Sequence, residues 1–217
     1  MQSIIEFLKH LHDSKYLEHL VQTGGIPIVA LVIFAETGLL VGFFLPGDTL
    51  LFLSGVVAGT AGMSGANYMN IWALTGALVV AAIVGDQLGY FLGYKTGHAI
   101  FTREEGFFFK RKRAEEAHAL CLKYGAWAVV IAKFMPVFRT FVPFMAGVGV
   151  MPYPKYLLVD SLGVLFWINF VVWTGYLLGE VAQPYLHIIL PGIAIVSMLP
   201  LIIGVVKEVF FSRKSTT

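Results

Sequence analysis

Little of this sequence is charged, and it contains a single cysteine. Lys, Arg, Asp and Glu make up 13% of its 217 residues, whereas about a quarter is usual in soluble domains. Cys121 alone cannot form an internal disulfide, and without a CxxC pair the chain lacks the usual thiolate motif for metal or redox chemistry. GxSxG, HExxH and P-loop patterns are also absent. We therefore expect no enzymatic activity, no metal and no cofactor.

Apolar residues dominate the composition. Hydrophobic side chains make up 58% of the chain, and its uncharged runs approach or exceed the roughly 20 residues that a helix needs to cross hydrocarbon. The N-terminal stretch, which carries Glu6 and Asp13 and has no basic start, is not typical of a signal peptide. The sequence predicts one all-α polytopic membrane domain over residues 1–217.

Polar and proline-containing stretches divide this domain into segments. We expect an interfacial amphipathic helix at 1–22, a re-entrant hairpin at 26–62, a span at 71–94, a basic segment at 102–123, a second re-entrant hairpin at 126–151 and spans at 156–179 and 185–206. Pro46 and Gly47 mark the tip of the first hairpin, and Pro136 and Pro143 divide the second. The limb 26–45 is long enough to span, and counting it as a crossing would reverse the side of the N-terminus.

Basic residues predict the orientation. The KRKR sequence at 110–113 and the basic C-terminal tail should share the cytoplasmic side, because cytoplasmic loops carry an excess of Lys and Arg. Two spans and one hairpin that does not cross separate them, which agrees with this rule. The two hairpins then enter from opposite sides, and each is followed by a span. This arrangement predicts an inverted repeat with about three full spans, as in many secondary transporters.

Four ionisable residues interrupt the apolar runs: Glu36 and Asp48 in the first hairpin, and Lys133 and Arg139 in the second. A charge at the bilayer centre costs about 2.5–3.5 kcal/mol on insertion scales, so these groups should pair, face water or hold a charged substrate. Lys133 and Arg139 are candidate phosphate ligands, since Arg offers a planar fork of donors and Lys a compact charge. Glu36 and Asp48 are candidates for proton coupling, because pairing changes how readily a carboxyl binds a proton. The alternatives are static ion pairs and, for Asp48, a helix N-cap.

Another acid, Asp86, lies in the segment GDQLGYFLGYKTG. The glycines of this segment recur every four residues and are Gly85, Gly89, Gly93 and Gly97. Such glycines line one helix face and allow close packing against a neighbour. Packing is the main role predicted here, with Asp86 as a secondary polar contact. Asp160 and Asn169 on the next span are weaker candidates.

Three strings of this chain resemble the DedA family of bacterial inner-membrane proteins, within the VTT or SNARE-associated Golgi-protein superfamily. They are FAETGLLVGFFLPGDTLLFLSG, GDQLGYFLGYKTG and KFMPVFRTFVPFMAGVGVMPYPKY. The resemblance implies paired re-entrant hairpins and movement of undecaprenyl phosphate or phospholipid between leaflets, with the proton-motive force implicated. By position, it places essential acids on Glu36 and Asp48 and an essential arginine on Arg139. Lys133 departs from the family, which usually has Arg there, and this predicts weaker or more pH-sensitive phosphate binding.

The predicted function is a proton-linked lipid translocase of the bacterial inner membrane, with a cytoplasmic C-terminus. Its partners would be a lipid substrate, the bilayer and protons, with no nucleic acid, while homo-oligomer formation is left open. One rival is a proton-coupled exporter of small cations or drugs, in which the acids bind the ligand. The other is a non-transporting membrane organiser, in which the charged pairs only hold the fold together.

Overall fold

The computed structural model describes residues 14–39, 47–63, 69–102, 127–133, 136–186, 188–189 and 192–193. The regular secondary structure in these ranges is helical, which confirms the predicted all-α class. The helices are α1 (Ser14–Gly38), α2 (Gly47–Met63), α3 (Ile71–Thr102), α4 (Trp127–Lys133), α5 (Pro136–Val148) and α6 (Tyr153–Ala182), and a short 3-10 helix (Gln183–Tyr185) follows α6.

Three of these helices are long and apolar enough to cross a membrane. The apolar stretches are Tyr16–Gly38, Ile71–Thr96 and Tyr153–Gly179, with 23, 26 and 27 residues. The second and third agree with the spans predicted at 71–94 and 156–179. The basic segment predicted at 102–123 lies outside the described residues except for Thr102, and so does most of the span predicted at 185–206.

Helix α1 joins two segments that the sequence analysis separated. It consists of two helical pieces that meet at a kink at Gly25, where φ is 58°, and Pro27 lies at the start of the second piece. Leu17 and Val21, on the N-terminal side of the kink, are buried in the main hydrophobic core. The described part of the predicted interfacial helix 1–22 forms the piece of α1 before the kink, and its apolar face packs against other helices. Residues 1–13 lie outside the described part.

The second proline-containing segment forms α4 and α5. Pro136 begins α5, a position where proline is well tolerated because its missing N–H would have no partner in the helix. Pro143 lies inside α5, so the prediction that it divides the helix was wrong. Its ring packs close to Gly89 of α3. A neighbouring helix can stabilise a proline-containing helix in this way, because the missing hydrogen bond is compensated by packing.

Close helix packing at glycines determines the arrangement of these elements. α2 packs on α6, α5 packs on α3, and α1 packs on α3. The glycines at these crossings, where an added Cβ would meet the backbone or a side chain of the neighbouring helix, are Gly55 and Gly59 of α2, Gly175 of α6, Gly38 of α1, Gly85 and Gly93 of α3 and Gly147 of α5. Small residues at such spacings let two helix backbones approach each other within a membrane. The glycines predicted to pack in GDQLGYFLGYKTG do so at Gly85, Gly89 and Gly93.

We expect Gly55→Ala to destabilise the protein, because its Cβ would overlap the carbonyl oxygen of Val172 in α6. Overpacking of this kind typically costs about 1–3 kcal/mol of unfolding free energy. The measurement is thermal unfolding of the purified protein in detergent. Gly76→Ala is the matched control, since a Cβ there meets nothing within 4 Å, and it should leave the midpoint unchanged or raise it. Equal effects of the two substitutions would contradict the packing described here.

Candidate functional site

Arg139 holds two acids from the first half of the chain. It is the fourth residue of α5 and is 5% exposed. Its Nη1 donates a hydrogen bond to Asp48 Oδ1, and its Nη2 donates to Glu36 Oε1. The guanidinium carbon also lies 4.5 Å from the ring centroid of Trp167 in α6, within the range of a cation–π interaction. We call Arg139, Glu36, Asp48 and Trp167 the arginine cluster.

The helix ends explain part of this pairing. Asp48 is the second residue of α2, where a negative charge is stabilised by the positive end of the helix dipole. Glu36 lies two residues before the end of α1, and Arg139 lies near the start of α5. Both positions place a charge next to a helix end of the same sign, which is unfavourable. The contact between Glu36 and Arg139 offsets both of these unfavourable interactions.

Gly47 gives the Glu36 carboxylate its space. A Cβ added at Gly47 would overlap the carboxylate, so a larger residue at the first position of α2 would displace Glu36. Gly47 was predicted to mark the tip of the first hairpin, and the structure places it at the start of α2 beside the acid. Pro46, the other predicted tip residue, lies outside the described residues.

Lys133 forms a second cluster with different acids. It is the last residue of α4, and its Nζ contacts Asp86 Oδ2 of α3 and lies 2.8 Å from Asp160 Oδ1 of α6. Both aspartates are 0% exposed and Lys133 is 2% exposed. Gln87 Nε2 donates to Asp160 Oδ2 at 3.3 Å, and the Tyr156 hydroxyl donates to the Asp86 carbonyl oxygen at 3.2 Å. We call these five residues the lysine cluster.

This geometry corrects one part of the predicted site. Arg139 meets Glu36 and Asp48 as expected, but Lys133 does not join them, because two acids on the long helices α3 and α6 lie beside the end of α4. Sequence reasoning gave Asp86 only a secondary role and ranked Asp160 lower. Both are charges inside predicted spans, and this signal could have identified them. Asn169 makes a local hydrogen bond of 2.7 Å to the Leu165 carbonyl oxygen.

The two clusters share one chemical pattern and lie close together. Each contains one base between two acids, and the helices that carry the two bases, α4 and α5, pack against each other. Within the described ranges, no group of three or more His, Cys, Asp or Glu side chains is placed to hold a metal ion. The arrangement is suited to binding an anion at a base or a proton at an acid.

Double-mutant cycles should test which acid Lys133 contacts. Lys133→Gln and Asp86→Asn should show a coupling of about 0.5–3 kcal/mol in unfolding free energy, because the two residues are in contact. Lys133→Gln and Glu36→Gln should be additive within about 0.5 kcal/mol, because they belong to different clusters. The measurement is equilibrium unfolding in mixed detergent micelles. Coupling of Lys133 to Glu36 in place of Asp86 would contradict the described contacts.

Comparison with known proteins places the chain in a family. The family model described as the VTT domain matches residues 45–177, a stretch that includes Asp48, Lys133 and Arg139. An uncharacterised membrane protein of Mycobacterium leprae (strain TN) is 41% identical over 181 residues, which cover 82% of this chain and 78% of that protein. No solved structure has a significant match to the chain.

Two further relatives come from Escherichia coli (strain K12). Protein DedA is 34% identical over 210 residues, which cover 94% of this chain and 93% of that protein. Inner membrane protein YqjA is 29% identical over 153 residues, which cover 70% of this chain and 67% of that protein. Matches of this extent, together with three helices long and apolar enough to span a membrane, show that the chain belongs to the DedA family of VTT-domain membrane proteins.

Proposed function

We propose that this protein translocates a phosphate-bearing lipid, undecaprenyl phosphate or a phospholipid, between the leaflets of the inner membrane in a proton-coupled manner. The observation that carries the proposal is the double engagement of Arg139, whose two Nη atoms each hold a carboxylate at converging helix ends. A guanidinium that bridges two carboxylate oxygens presents the same planar fork that binds two oxygens of a phosphate. A lipid phosphate could therefore exchange with Glu36 and Asp48.

Charge balance links this exchange to protons. The arginine cluster contains one guanidinium and two carboxylates. A phosphate that joined all three would add further negative charge to a buried site of low dielectric, where excess charge is strongly unfavourable. Uptake of a proton by Glu36 or Asp48 removes one negative charge and frees one arm of Arg139. Protonation and phosphate binding would then favour each other.

The lipid tail does not need a wide pore in this mechanism. Apolar side chains on the outer faces of α3 and α6 are exposed, among them Val80, Val84, Phe166, Phe170 and Leu177. Such surfaces are compatible with acyl or prenyl chains that stay in the bilayer while the head group visits the arginine cluster. Lys133 was expected to share the phosphate, but its two aspartates would first have to release it, so the proposal assigns the head group to Arg139.

Substitution of Arg139 tests the proposal directly. In vesicles that contain the purified protein, Arg139→Gln should slow leaflet exchange of a labelled polyprenyl phosphate or phospholipid by about 10–100-fold. The reason is the loss of charged hydrogen bonds, which are worth about 1.5–3 kcal/mol. Each 1.4 kcal/mol or so added to the barrier slows the rate about tenfold. Arg139→Lys should be intermediate, since it keeps the charge and loses the fork.

Lys155→Gln is the matched control, because Lys155 is an exposed cation at the start of α6. It should exchange lipid at the wild-type rate. A substitution of Arg139 that leaves exchange unchanged while the protein remains folded would exclude this mechanism.

A second function is favoured by one specific observation. The two clusters together contain four acids and two bases, an excess of carboxylates that suits a cation. In a proton-coupled exporter of small cations, the acids would bind the cargo and Arg139 would only modulate them. Arg139→Gln would then retain or increase proton-driven uptake of a lipophilic cation into inverted vesicles, whereas Glu36→Gln would abolish it. The lipid proposal expects no such uptake by any of these proteins.

A further inference from the structure

The lysine cluster is not needed to hold the head group in the proposed function, yet it is the more deeply buried of the two clusters. One ammonium lies between two carboxylates that are each 0% exposed. A single ammonium can neutralise one carboxylate, so the second leaves an uncompensated negative charge in a low-dielectric site. A proton is the smallest ligand that removes this charge.

Hydrogen bonds distinguish the two aspartates. Asp160 Oδ2 accepts a hydrogen bond from Gln87 Nε2 at 3.3 Å, and its Oδ1 lies 2.8 Å from Lys133 Nζ. Within the described ranges, the Asp86 carboxylate is contacted by Lys133 alone, at Oδ2. In each aspartate the buried Oδ1 has no hydrogen-bond partner among the residues that the structure describes. Donors stabilise the ionised form of a carboxyl. Asp86 has one donor fewer than Asp160, because Gln87 serves Asp160 alone, and we therefore assign the proton to Asp86 Oδ1.

Charged and titratable groups face Asp86 from each neighbouring helix. They are Lys133 of α4, Asp160 and Tyr156 of α6 and, acting through space, Arg139 of α5. On its own helix, Gln87 is bonded to Asp160, and the Tyr90 hydroxyl donates to the Met151 carbonyl oxygen at 2.5 Å. The acids of α1 and α2, Glu36 and Asp48, are held by Arg139.

We propose that Asp86 is an exchangeable proton-binding site in the membrane interior, with Lys133 and Asp160 as its fixed counter-ions, separate from the arginine cluster. A proton from water adds to Asp86 Oδ1 and forms a neutral carboxylic acid. Lys133 keeps its three protons and its contact with Asp160, so the cluster becomes neutral as a whole. Release returns the proton to water, and the carboxylate again shares Lys133.

This site is placed to communicate with the arginine cluster. Because α5, which carries Arg139, packs against both α3 and α4, neutralising Asp86 lowers the negative charge in the neighbourhood of Arg139. Reciprocity requires that an anion bound at Arg139 in turn changes the affinity of Asp86 for a proton. A role of this proton in lipid transport rests on the proposed function, whereas the binding of the proton to Asp86 does not.

Infrared difference spectroscopy tests the site without any transport assay. The full-length protein, made by cell-free synthesis with carboxyl-¹³C aspartate and reconstituted in lipid, is compared between acidic and alkaline buffer. The label shifts the C=O stretch of protonated aspartate away from that of protonated glutamate, so the two residue types give separate bands. We expect the aspartate band that appears on acidification to lose intensity in Asp86→Asn relative to wild type, because Asp86 no longer contributes to it. Asp48→Asn should keep this contribution of Asp86.

Asp86→Glu covers the case in which Asp86→Asn does not fold. In that variant the band should move from the labelled aspartate position to the unlabelled glutamate position, since the same site now carries a glutamate. The absence of a pH-dependent aspartate band in wild type would overturn the inference. Aspartate intensity that is unchanged in Asp86→Asn and Asp86→Glu, or loss of the whole aspartate band in Asp48→Asn, would do the same.

The outcome is distinguishable from failure of the proposed function. Wild-type vesicles that exchange no lipid would exclude the translocase and leave the infrared result to decide on the proton site. Conversely, lipid exchange that depends on Arg139, combined with an acid-induced band that arises only from Glu36 or Asp48, would exclude the site at Asp86 and retain the translocase.

Discussion

A base buried in a membrane protein must meet an acid, and in the part of the chain that the structure describes each of the two buried bases meets two. Arg139 is held by Glu36 and Asp48, and Lys133 by Asp86 and Asp160. Removing one partner from such a group leaves a buried charge without compensation, at a cost of about 3–5 kcal/mol. The ion pairs therefore fix the relative positions of the helices that carry these residues. The ends of α1, α2, α4 and α5 must lie close to their partners, and α3 and α6 must pass beside the end of α4.

Glycine packing brings those helices together. Crossings of α2 with α6 and of α5 with α3 place backbones in direct contact, at positions such as Gly55 and Gly93 where no side chain would fit. These crossings carry the start of α2, with Asp48, and the start of α5, with Arg139, into the interior. The polar contacts thus depend on apolar packing at some distance from them. Directly beside the site, the missing side chain of Gly47 makes room for the Glu36 carboxylate.

The two clusters have similar compositions, but we propose that they bind different ligands. A guanidinium is always protonated and offers a fixed fork, which suits recognition of a phosphate. A lysine between two aspartates offers no such fork to a ligand, and one oxygen of each aspartate is left without a hydrogen bond from the described residues. Anion exchange and proton exchange would then occur at neighbouring sites that share electrostatic contact. This separation keeps each group matched to one ligand.

Local sequence determined the helical class, the long apolar stretches at α3 and α6 and the presence of a charge at Arg139 within an apolar segment, because composition, periodicity and isolated charges are properties of contiguous residues. It misjudged Pro143, because a packed neighbour stabilises a helix that local propensity would end. Only the tertiary structure decided which acid meets which base. Asp86 lies 47 residues from Lys133 in sequence, and no local pattern ranks it above Glu36 as a partner, since ion pairing in a membrane depends on which helices pack together.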